Sequence, residues 1–495
     1  MMYLSLLIAS GLLGGLGVMA LGSRINCRHI ASGTVLISLW VFYGLTQQMV
    51  FSDGGIQLME SLPWIPYFNV RYMLGIDGLS WALVGLTLLI NCIVIAGSYL
   101  VNYTRMRLYL ALFLLMQSMV IGVFLAYDAI LFYMFWEGML IPMYLCIGVW
   151  GSSQRSYAAM KFFLYTFLGS VLMLVGFIYL GIQAQSFSFL QMASVPLSLF
   201  EQQWLFLALL AAFAVKIPMF PFHTWLPDAH TEAPASGSVI LAALMLKVGA
   251  YGLIRVSMPI LPDASAYFAP LMIGLSLIAI VYVGIVAFSQ QDMKRLIAYS
   301  SVAHMGFVTL GLFLIYRAGD ADMASLGMTG AVVQMISHAF GSGALFCAFG
   351  LLYHQCHERS IIKFSGLGTK MPWFSMFFLL FVLSTIGVPL TAGFVGEYLV
   401  IMTALQTMPL VGLCAAITLV LSAAYLLTMY KQAFFGMPSD IVEKVRDIHR
   451  GEVTLLLFIS LVVLALGIYP QGLIQVLYPP ITQLLDAAVS SKLLV

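Results

Sequence analysis

The sequence predicts an all-α polytopic membrane protein of about fourteen transmembrane helices, arranged as two inverted five-helix repeats with breaks in helices 7 and 12. Three observations predict it. The 495 residues are 62% hydrophobic and only 8% charged, against about a quarter charged in an ordinary soluble domain, so no water-soluble fold of this length could hide its apolar surface. Runs of about 18 or more apolar residues recur along the whole chain, each long enough to cross a hydrocarbon core of about 30 Å as a helix. Two of these runs are interrupted by proline or glycine close to a charged residue, at 216–221 and 387–397.

In chain order the candidate spans lie near 3–21, 30–48, 79–100, 108–126, 129–150, 160–182, 203–227, 235–258, 266–288, 297–316, 327–352, 374–400, 409–431 and 453–472. The first has no basic segment before it and no small-residue cleavage pattern after it, which reads as a retained helix and not a signal peptide. Lysine and arginine test the count independently, because cytoplasmic loops carry the positive excess. Loops after odd-numbered spans hold Arg24, Arg28, Arg105, Arg107, Arg155, Lys294, Arg295, Arg359, Lys363, Lys370, Lys444, Arg446 and Arg450, and loops after even-numbered spans hold only Arg71 and Arg317. A missed span would scramble this alternation. It predicts odd loops on the cytoplasmic face, or its equivalent, and both termini on the outer side.

Four charges fall deep inside spans: Glu137, Lys216, Lys247 and Glu397. Each costs roughly 2.5–3.5 kcal/mol at the bilayer centre on insertion scales, a heavy burden for a scaffold that merely holds helices together. Lys161 and Arg255 lie near span ends, where a long side chain snorkels to the headgroups, and Lys431 is also at a predicted end. In a dry interior a lysine is driven toward its neutral form and a carboxylate toward its protonated form, and bringing the two together reverses both tendencies. A Glu and Lys pair that approaches and separates therefore captures and releases protons. His304 and His338, in the tenth and eleventh spans, add the one side chain that titrates unperturbed near neutrality; alone, each is more simply a helix-to-helix hydrogen bond.

Pro218 and Pro221 follow Lys216, and Pro389, with Gly387 and Gly393, precedes Glu397. Proline removes a backbone donor and frees carbonyls that lipid cannot satisfy, so such breaks survive where they line a polar cavity. The breaks are five spans apart. An odd offset inverts the second half relative to the first, the plan of transporters whose discontinuous helices form the site. The resulting division is 1–107, three helices with an outer loop at 49–78; 108–258, the first repeat; 266–431, the second; and 432–495, a cytoplasmic segment with the last helix.

"GIDGLSW" at 75–81, "FYMFWEGMLIPMYLCIGVWG" around Glu137, "KFFLYT" at 161–166, "KIPMFPFHTWLPDAHTEAPASGSVILAALMLKVGAYG" at 216–252, "DMKRLIAYSSVAHMGF" at 292–307 and "GFVGEYL" at 393–399 resemble the antiporter-like membrane subunits of proton-pumping NADH:quinone oxidoreductase. The resemblance runs from about residue 70 to 435 and is nearest to the NuoM type, the counterpart of mitochondrial chain 4. The wider family includes Mrp-type Na+/H+ antiporter subunits. Glu397, where several relatives carry lysine, and "HTWLPDAHTEAP" favour the NuoM type.

The resemblance implies that Glu137 pairs with Lys216 and controls its protonation, that Lys247 is the central relay with His304 and His338 as its continuation, and that Glu397 stands at the exit to the outer side. It implies cytoplasmic uptake through the first half, and it puts Asp228 and His230, beside Glu232, at a cytoplasmic mouth; plain loop capping explains these as well. It implies neighbouring membrane subunits of the NuoL and NuoN types, lipid, protons and water as partners, with no nucleic acid, and puts FMN, iron–sulfur clusters and quinone in other subunits. The six cysteines form no C-x-x-C pair, so no cofactor site is expected in this chain. A metal at "HQCH" (354–357) lacks a further partner, and "GLLGGLG" (11–17) reads as close helix packing, not a nucleotide loop.

Two partner-facing segments complete the reading. Residues 49–78 combine aromatic, β-branched and proline residues, and the resemblance implies extended or hairpin elements there. Residues 438–450 place Ile441, Val442, Val445 and Ile448 at helical spacing between charges, which predicts a short amphipathic helix on the cytoplasmic face. Only about 22 residues follow the last predicted span, so the long lateral helix of the NuoL type is not expected.

Overall fold

The computed structural model describes residues 2–493. Its main elements are α1 (Tyr3–Leu21), α2 (Cys27–Thr46), strands β1 (Gln57–Ile65) and β2 (Val70–Ile76), α3 (Gly78–Gly97), α4 (Met106–Leu125), α5 (Ala129–Trp150), α6 (Arg155–Ala184), α7 (Leu199–Lys216), α8 (Ala235–Ile260), α9 (Pro262–Phe288), α10 (Met293–Arg317), α11 (Ala321–Cys356), α12 (Pro372–Ile386), α13 (Ala392–Thr407), α14 (Pro409–Phe434), α15 (Arg450–Ile468) and α16 (Gln471–Val489). Among the described residues thirteen helices, all but α12, α13 and α16, are long and apolar enough to cross a membrane. The predicted twelfth span is two shorter helices, and the predicted seventh ends at Lys216 rather than at 227, because Pro218 cannot continue it.

Aspartates start several helices by accepting the amide hydrogens that a first turn leaves unpaired. Asp77 caps α3 through Ser80 N, Asp128 caps α5 through Ile130 N and Leu131 N, Asp292 caps α10 through Arg295 N, and Asp320 caps α11 through Met323 N. Asp128 also accepts from Arg71 N at 3.0 Å, which ties β2 to α5. The expected hairpin at 49–78 is present as the antiparallel pair β1 and β2. It reaches back to α1, where the Glu60 carboxylate accepts from Leu4 N at 2.8 Å and Ser5 N at 3.0 Å. An anion at a helix N-terminus is favoured by the macrodipole as well as by these bonds.

Burial separates a core from a periphery. Every residue in the α8 window is buried, as are 94% for α10 and 89% for α11, against 33% for α1, α2 and α15. The three central helices thus have no lipid-facing side, and polar residues on them do not meet hydrocarbon. Helix α8 is also irregular. It is π-helical over Leu241–Met245 and Leu253–Ser257, on either side of Lys247; single π turns of this kind concentrate at functional positions.

Two expectations are corrected. The amphipathic helix expected at 438–450 is absent: 438–449 is irregular chain with one 3-10 turn at Val442–Lys444, and Arg450 already begins α15. Their polar groups serve other elements: Asp447 accepts from Trp373 N and Phe374 N at the start of α12, Ser439 Oγ donates to Lys363 O, and Arg446 N donates to Gln355 Oε1. The amphipathic helix is α16, which the sequence reading missed; it buries Leu477, Pro480, Ile481, Leu484, Leu485 and Ala488 on one face. Arg255 does not snorkel. It is buried, ion-paired with buried Asp77, and stacked over the rings of Tyr127 (5.4 Å) and Tyr251 (5.6 Å).

Candidate functional site

Four of the predicted residues meet at the crossing of α8, α10, α11 and α13. Lys247 Nζ lies 2.6 Å from His338 Nδ1 and donates to Ala242 O at 2.6 Å. The carbonyl it meets lies five residues back, inside the first π-helical turn. On the far side, His304 Nδ1 lies 2.6 Å from Glu397 Oε1, which also accepts from Gln334 Nε2 at 2.9 Å. The two imidazoles stand 5.8 Å apart, centroid to centroid. All four are at most 5% exposed.

The order along this line is Lys247, His338, His304, Glu397, which reverses the two histidines relative to chain order. Between the rings lies a polar cavity of about 10 Å³, lined among others by His304, Ser337, His338, Ser384 and Glu397, a volume near the minimum for one water. His304 Nε2 and Glu397 Oε2 are buried without a protein partner, so hydrogen-bonding capacity remains open there. His338 Nε2 bonds Ser342 Oγ at 3.1 Å, and Ser342 bonds Ser301 Oγ at 3.0 Å.

The break before Glu397 makes room for the carboxylate. Gly387 takes a left-handed φ of +85°, and a Cβ on it would come within 3.1 Å of Glu397 Oε2. A Cβ on Gly393 would meet Ser384 O at 2.0 Å, so only glycine lets α13 start this close to the end of α12.

In the first half the geometry is looser. Lys216 is buried at the last residue of α7, its Nζ without a protein hydrogen-bond partner and 5.2 Å from the centre of the Trp136 ring. Glu137 is only partly buried; its Oε1 is unpartnered, and it lies beside Ser170 within Coulombic reach of Lys216. The expected Glu and Lys pair is therefore near without being bonded. Two carbonyls that the break leaves in the last turn of α7 find other donors: Met219 N donates to Ala214 O, and Trp225 Nε1 donates to Val215 O at 2.9 Å.

On the basic face, Asp228 pairs with Lys161 at 2.7 Å and with Arg295 at 3.7 Å, so Lys161 is an ion-pair partner there. Glu232 accepts from Ser152 Oγ (2.9 Å) and Gln154 N (2.8 Å) and lies 3.4 Å from Arg359. Lys431 is exposed in the last turn of α14. A cavity of about 420 Å³ opens here, lined among others by Arg155, Glu232, Lys294, His354, His357 and Arg359. Lys294, counted in the sequence as a loop cation, is buried and donates to Ala233 O. His230 is fully buried near it.

The sequence reading missed Gln334, Ser342, Ser301, Lys294 and the Asp77–Arg255 pair. One signal was available: Gln334, His338 and Ser342 recur every fourth residue in an otherwise apolar span, which places them on one helix face.

A family model described as NADH:quinone oxidoreductase/Mrp antiporter, TM, matches residues 126–422. NADH-quinone oxidoreductase subunit M of Rickettsia typhi is 41% identical over 437 residues, 88% of this chain and 87% of that one. A chain of respiratory complex I from Thermus thermophilus superposes with a TM-score of 0.87 at 27% identity, covering 99% of this chain and all of that one. A chain of the Mrp complex from Dietzia sp. also superposes with a TM-score of 0.87, over 98% of this chain and 99% of that one, but at 21% identity, a likeness of fold alone.

Proposed function

The chain belongs to the NADH:quinone oxidoreductase/Mrp antiporter transmembrane family, and from that premise we propose that it is the proton-translocating subunit M of a multi-subunit NADH:quinone oxidoreductase. The observation that carries this reading is the buried line Lys247–His338–His304–Glu397, joined at 2.6 Å at each end. A line of groups that both accept and donate protons, buried throughout and carried on three helices with no lipid-facing side and on α13, suits proton transfer and little else. The name carried by a relative at 41% identity favours this over an Mrp-type Na+/H+ antiporter subunit, for which the likeness is one of fold.

Each residue has a role in this reading. Lys247 as ammonium donates its proton to His338 Nδ1; His338 and His304 exchange it across the water-sized cavity; Glu397, held by Gln334 Nε2, receives it and releases it toward the outer side. Glu137 acts on Lys216 through space. Because the two are not bonded, a change in either charge or in their separation alters how strongly the carboxylate holds the lysine's proton. At an effective dielectric of about 20, two unit charges brought to about 4 Å interact by about 4 kcal/mol; Glu137 and Lys216 stand farther apart than that, so closing the gap strengthens the carboxylate's hold on the lysine's proton.

The remaining assignments follow from the same reading. Quinone reduction elsewhere supplies the energy, with FMN, iron–sulfur clusters and quinone held by other subunits; the absence of any C-x-x-C pair in the sequence supports this. Neighbouring NuoL- and NuoN-type subunits flank the chain, and the partial exposure of Glu137 on the isolated chain supports a subunit contact there. The two proline- and glycine-rich breaks support a division into two inverted repeats, at 108–258 and 266–431. The 13:2 distribution of loop cations supports both termini on the outer side, and the bacterial subunit M relative supports a bacterial inner membrane, where that side is the periplasm.

The deciding experiment is NADH-driven proton transport by the assembled complex in vesicles. Lys247→Ala and Glu397→Ala abolish transport while the complex assembles. Persistence of NADH-driven transport in both variants, with Na+/H+ exchange lost, would replace this reading by the antiporter one.

A further inference from the structure

We propose that the basic-face cavity is a binding site for a phosphate-bearing anion, held between Lys294, Arg155 and Arg359. This goes beyond the proton-translocating reading and does not depend on it. The three cations come from separate parts of the chain: Arg155 opens α6, Lys294 lies in the first turn of α10, and Arg359 follows α11. All three line the same cavity of about 420 Å³. Their hydrogen-bond partners are backbone carbonyls. Lys294 Nζ donates to Ala233 O, Arg359 Nη1 to Thr231 O at 2.8 Å, and Arg155 Nη1 to Val149 O at 3.1 Å. The carbonyl between the first two, Glu232 O, accepts from Ser152 N at 3.1 Å, which fastens the turn before α6 to the same segment. Gly151 permits this approach: a Cβ built on it would lie 2.6 Å from Arg155 Cβ and 3.1 Å from Glu232 O. Three consecutive carbonyls thus gather three positive charges around one space without neutralising them.

The opposing charge is already engaged. Glu232 is the one carboxylate among the lining residues. It accepts from Ser152 Oγ at 2.9 Å and Gln154 N at 2.8 Å and stands 3.4 Å from Arg359, whose other acidic neighbour, Asp292, is 4.0 Å away. Among the described residues no carboxylate pairs with Lys294 or Arg155, whereas Lys161 on the same face has Asp228 at 2.7 Å. Lys294 is only 6% exposed, and a buried charge is ordinarily paired. Like charges repel, so cations fixed by carbonyls around one space are unfavourable until an anion enters it.

Phosphate suits the space because its several oxygens meet an ammonium and two guanidinium forks at once. Two sources carry that group, a phospholipid headgroup and inorganic phosphate, and the surroundings favour the lipid. Basic pockets between membrane helices at the headgroup level select anionic headgroups. A narrower apolar cleft of about 30 Å³ adjoins the cavity, sharing Val101, Tyr103, Ala235 and Gly350 with it and passing on to Leu351 and Leu455. Cys347 on the cleft wall is partly exposed, although α11 is otherwise almost wholly buried, so the cleft is open. It gives a chain attached to the phosphate an apolar exit, which a free phosphate does not need.

The test uses the full complex with three probes: photoactivatable phosphatidylglycerol, photoactivatable phosphatidylcholine and radiolabelled inorganic phosphate. The phosphatidylglycerol probe is expected to label peptides 97–103 and 347–355, which border the cavity and cleft, and the phosphatidylcholine probe, whose choline cancels the charge, to label them far less. Lys294→Gln and Arg155→Gln each lower that labelling about tenfold or more, the effect of losing one charge-assisted hydrogen bond, while labelling elsewhere on the subunit is unchanged. Arg155 is exposed, so its variant serves as the test should Lys294→Gln fail to assemble. Retention of radiolabelled phosphate by the wild type and its loss in the variants, with no lipid labelling at these peptides, would keep the site and make free phosphate its source. Equal labelling of wild type and variants, equal labelling by the two lipids, or binding of neither lipid nor phosphate would overturn the proposal.

Discussion

Lys247 and His338 meet nitrogen to nitrogen at 2.6 Å, with no carboxylate between them. Two nitrogens at that distance share one proton: an ammonium donating to a neutral imidazole, or a neutral amine accepting from Nδ1–H. Both rest within the buried crossing of α8 and α11, and the choice between the two states is a proton transfer with almost no movement of heavy atoms. The Ala242 carbonyl, in the π-helical turn, accepts from Lys247 Nζ at 2.6 Å and favours the ammonium. A proton held on His304 disfavours a second charge on His338 by like-charge repulsion.

His338→Gln keeps a donor and an acceptor and about the same length but cannot carry a proton through. The expected result is an assembled complex of normal thermal stability whose NADH-driven transport falls about a hundredfold or more. Normal transport would remove His338 from the path and leave it as a support for Lys247.

Glu397→Gln retains an oxygen to accept from Gln334 and His304 but loses the charge and the exchangeable proton. Transport is expected to be lost with assembly intact, and Glu397→Asp to recover part of it at a lower rate, because the carboxyl group is withdrawn from His304 by one methylene. Vesicle transport at constant complex content distinguishes this from misassembly; equal activity in Gln and Glu forms would show that Glu397 only holds the two helices.

The charges of this site were legible in the sequence because lipid makes them conspicuous: Lys216, Lys247 and Glu397 stand inside apolar runs with no neighbouring compensation. Their pairing was not legible. It depends on where α8, α10, α11 and α13 cross, and the partners are 91 and 93 residues apart in the chain. Arg255 was misread for the same reason, since its partner Asp77 lies 178 residues away; nearness to a span end said nothing about what covers that end. Helix α16 was missed because Pro479 and Pro480 argue locally against a helix, and packing of its apolar face overrides that. At 438–450 helical periodicity misled, because Ser439 and Asp447 bond to neighbouring segments instead of to a local helix.

Gly393→Ala tests the break in the twelfth span. The added methyl would press on Ser384 O, 2.0 Å from the ideal Cβ, so α13 must shift away from α12. Overpacking of this kind destabilises by about 1–3 kcal/mol and here also displaces Glu397, one turn on. Lower thermal stability and lower transport per assembled complex are expected together; a stable complex with normal transport would mean that the close approach is not required.

The Asp77–Arg255 pair tests whether every buried charge in this chain serves transport. Neither residue touches the Lys247–Glu397 line, and Asp77 also caps α3. Breaking a buried pair from one side leaves an uncompensated charge and costs about 3–5 kcal/mol. Arg255→Met should therefore strip stability and lower the yield of assembled complex, while the molecules that do assemble pump normally. Replacing both partners, as Arg255→Met with Asp77→Asn, removes the stranded charge while keeping a side chain able to cap Ser80, and most of the lost stability should return. Thermal unfolding of the purified complex, read beside transport per complex, separates the two roles: a loss of transport without a loss of stability would make the pair part of the proton path instead of a clamp between α3 and α8.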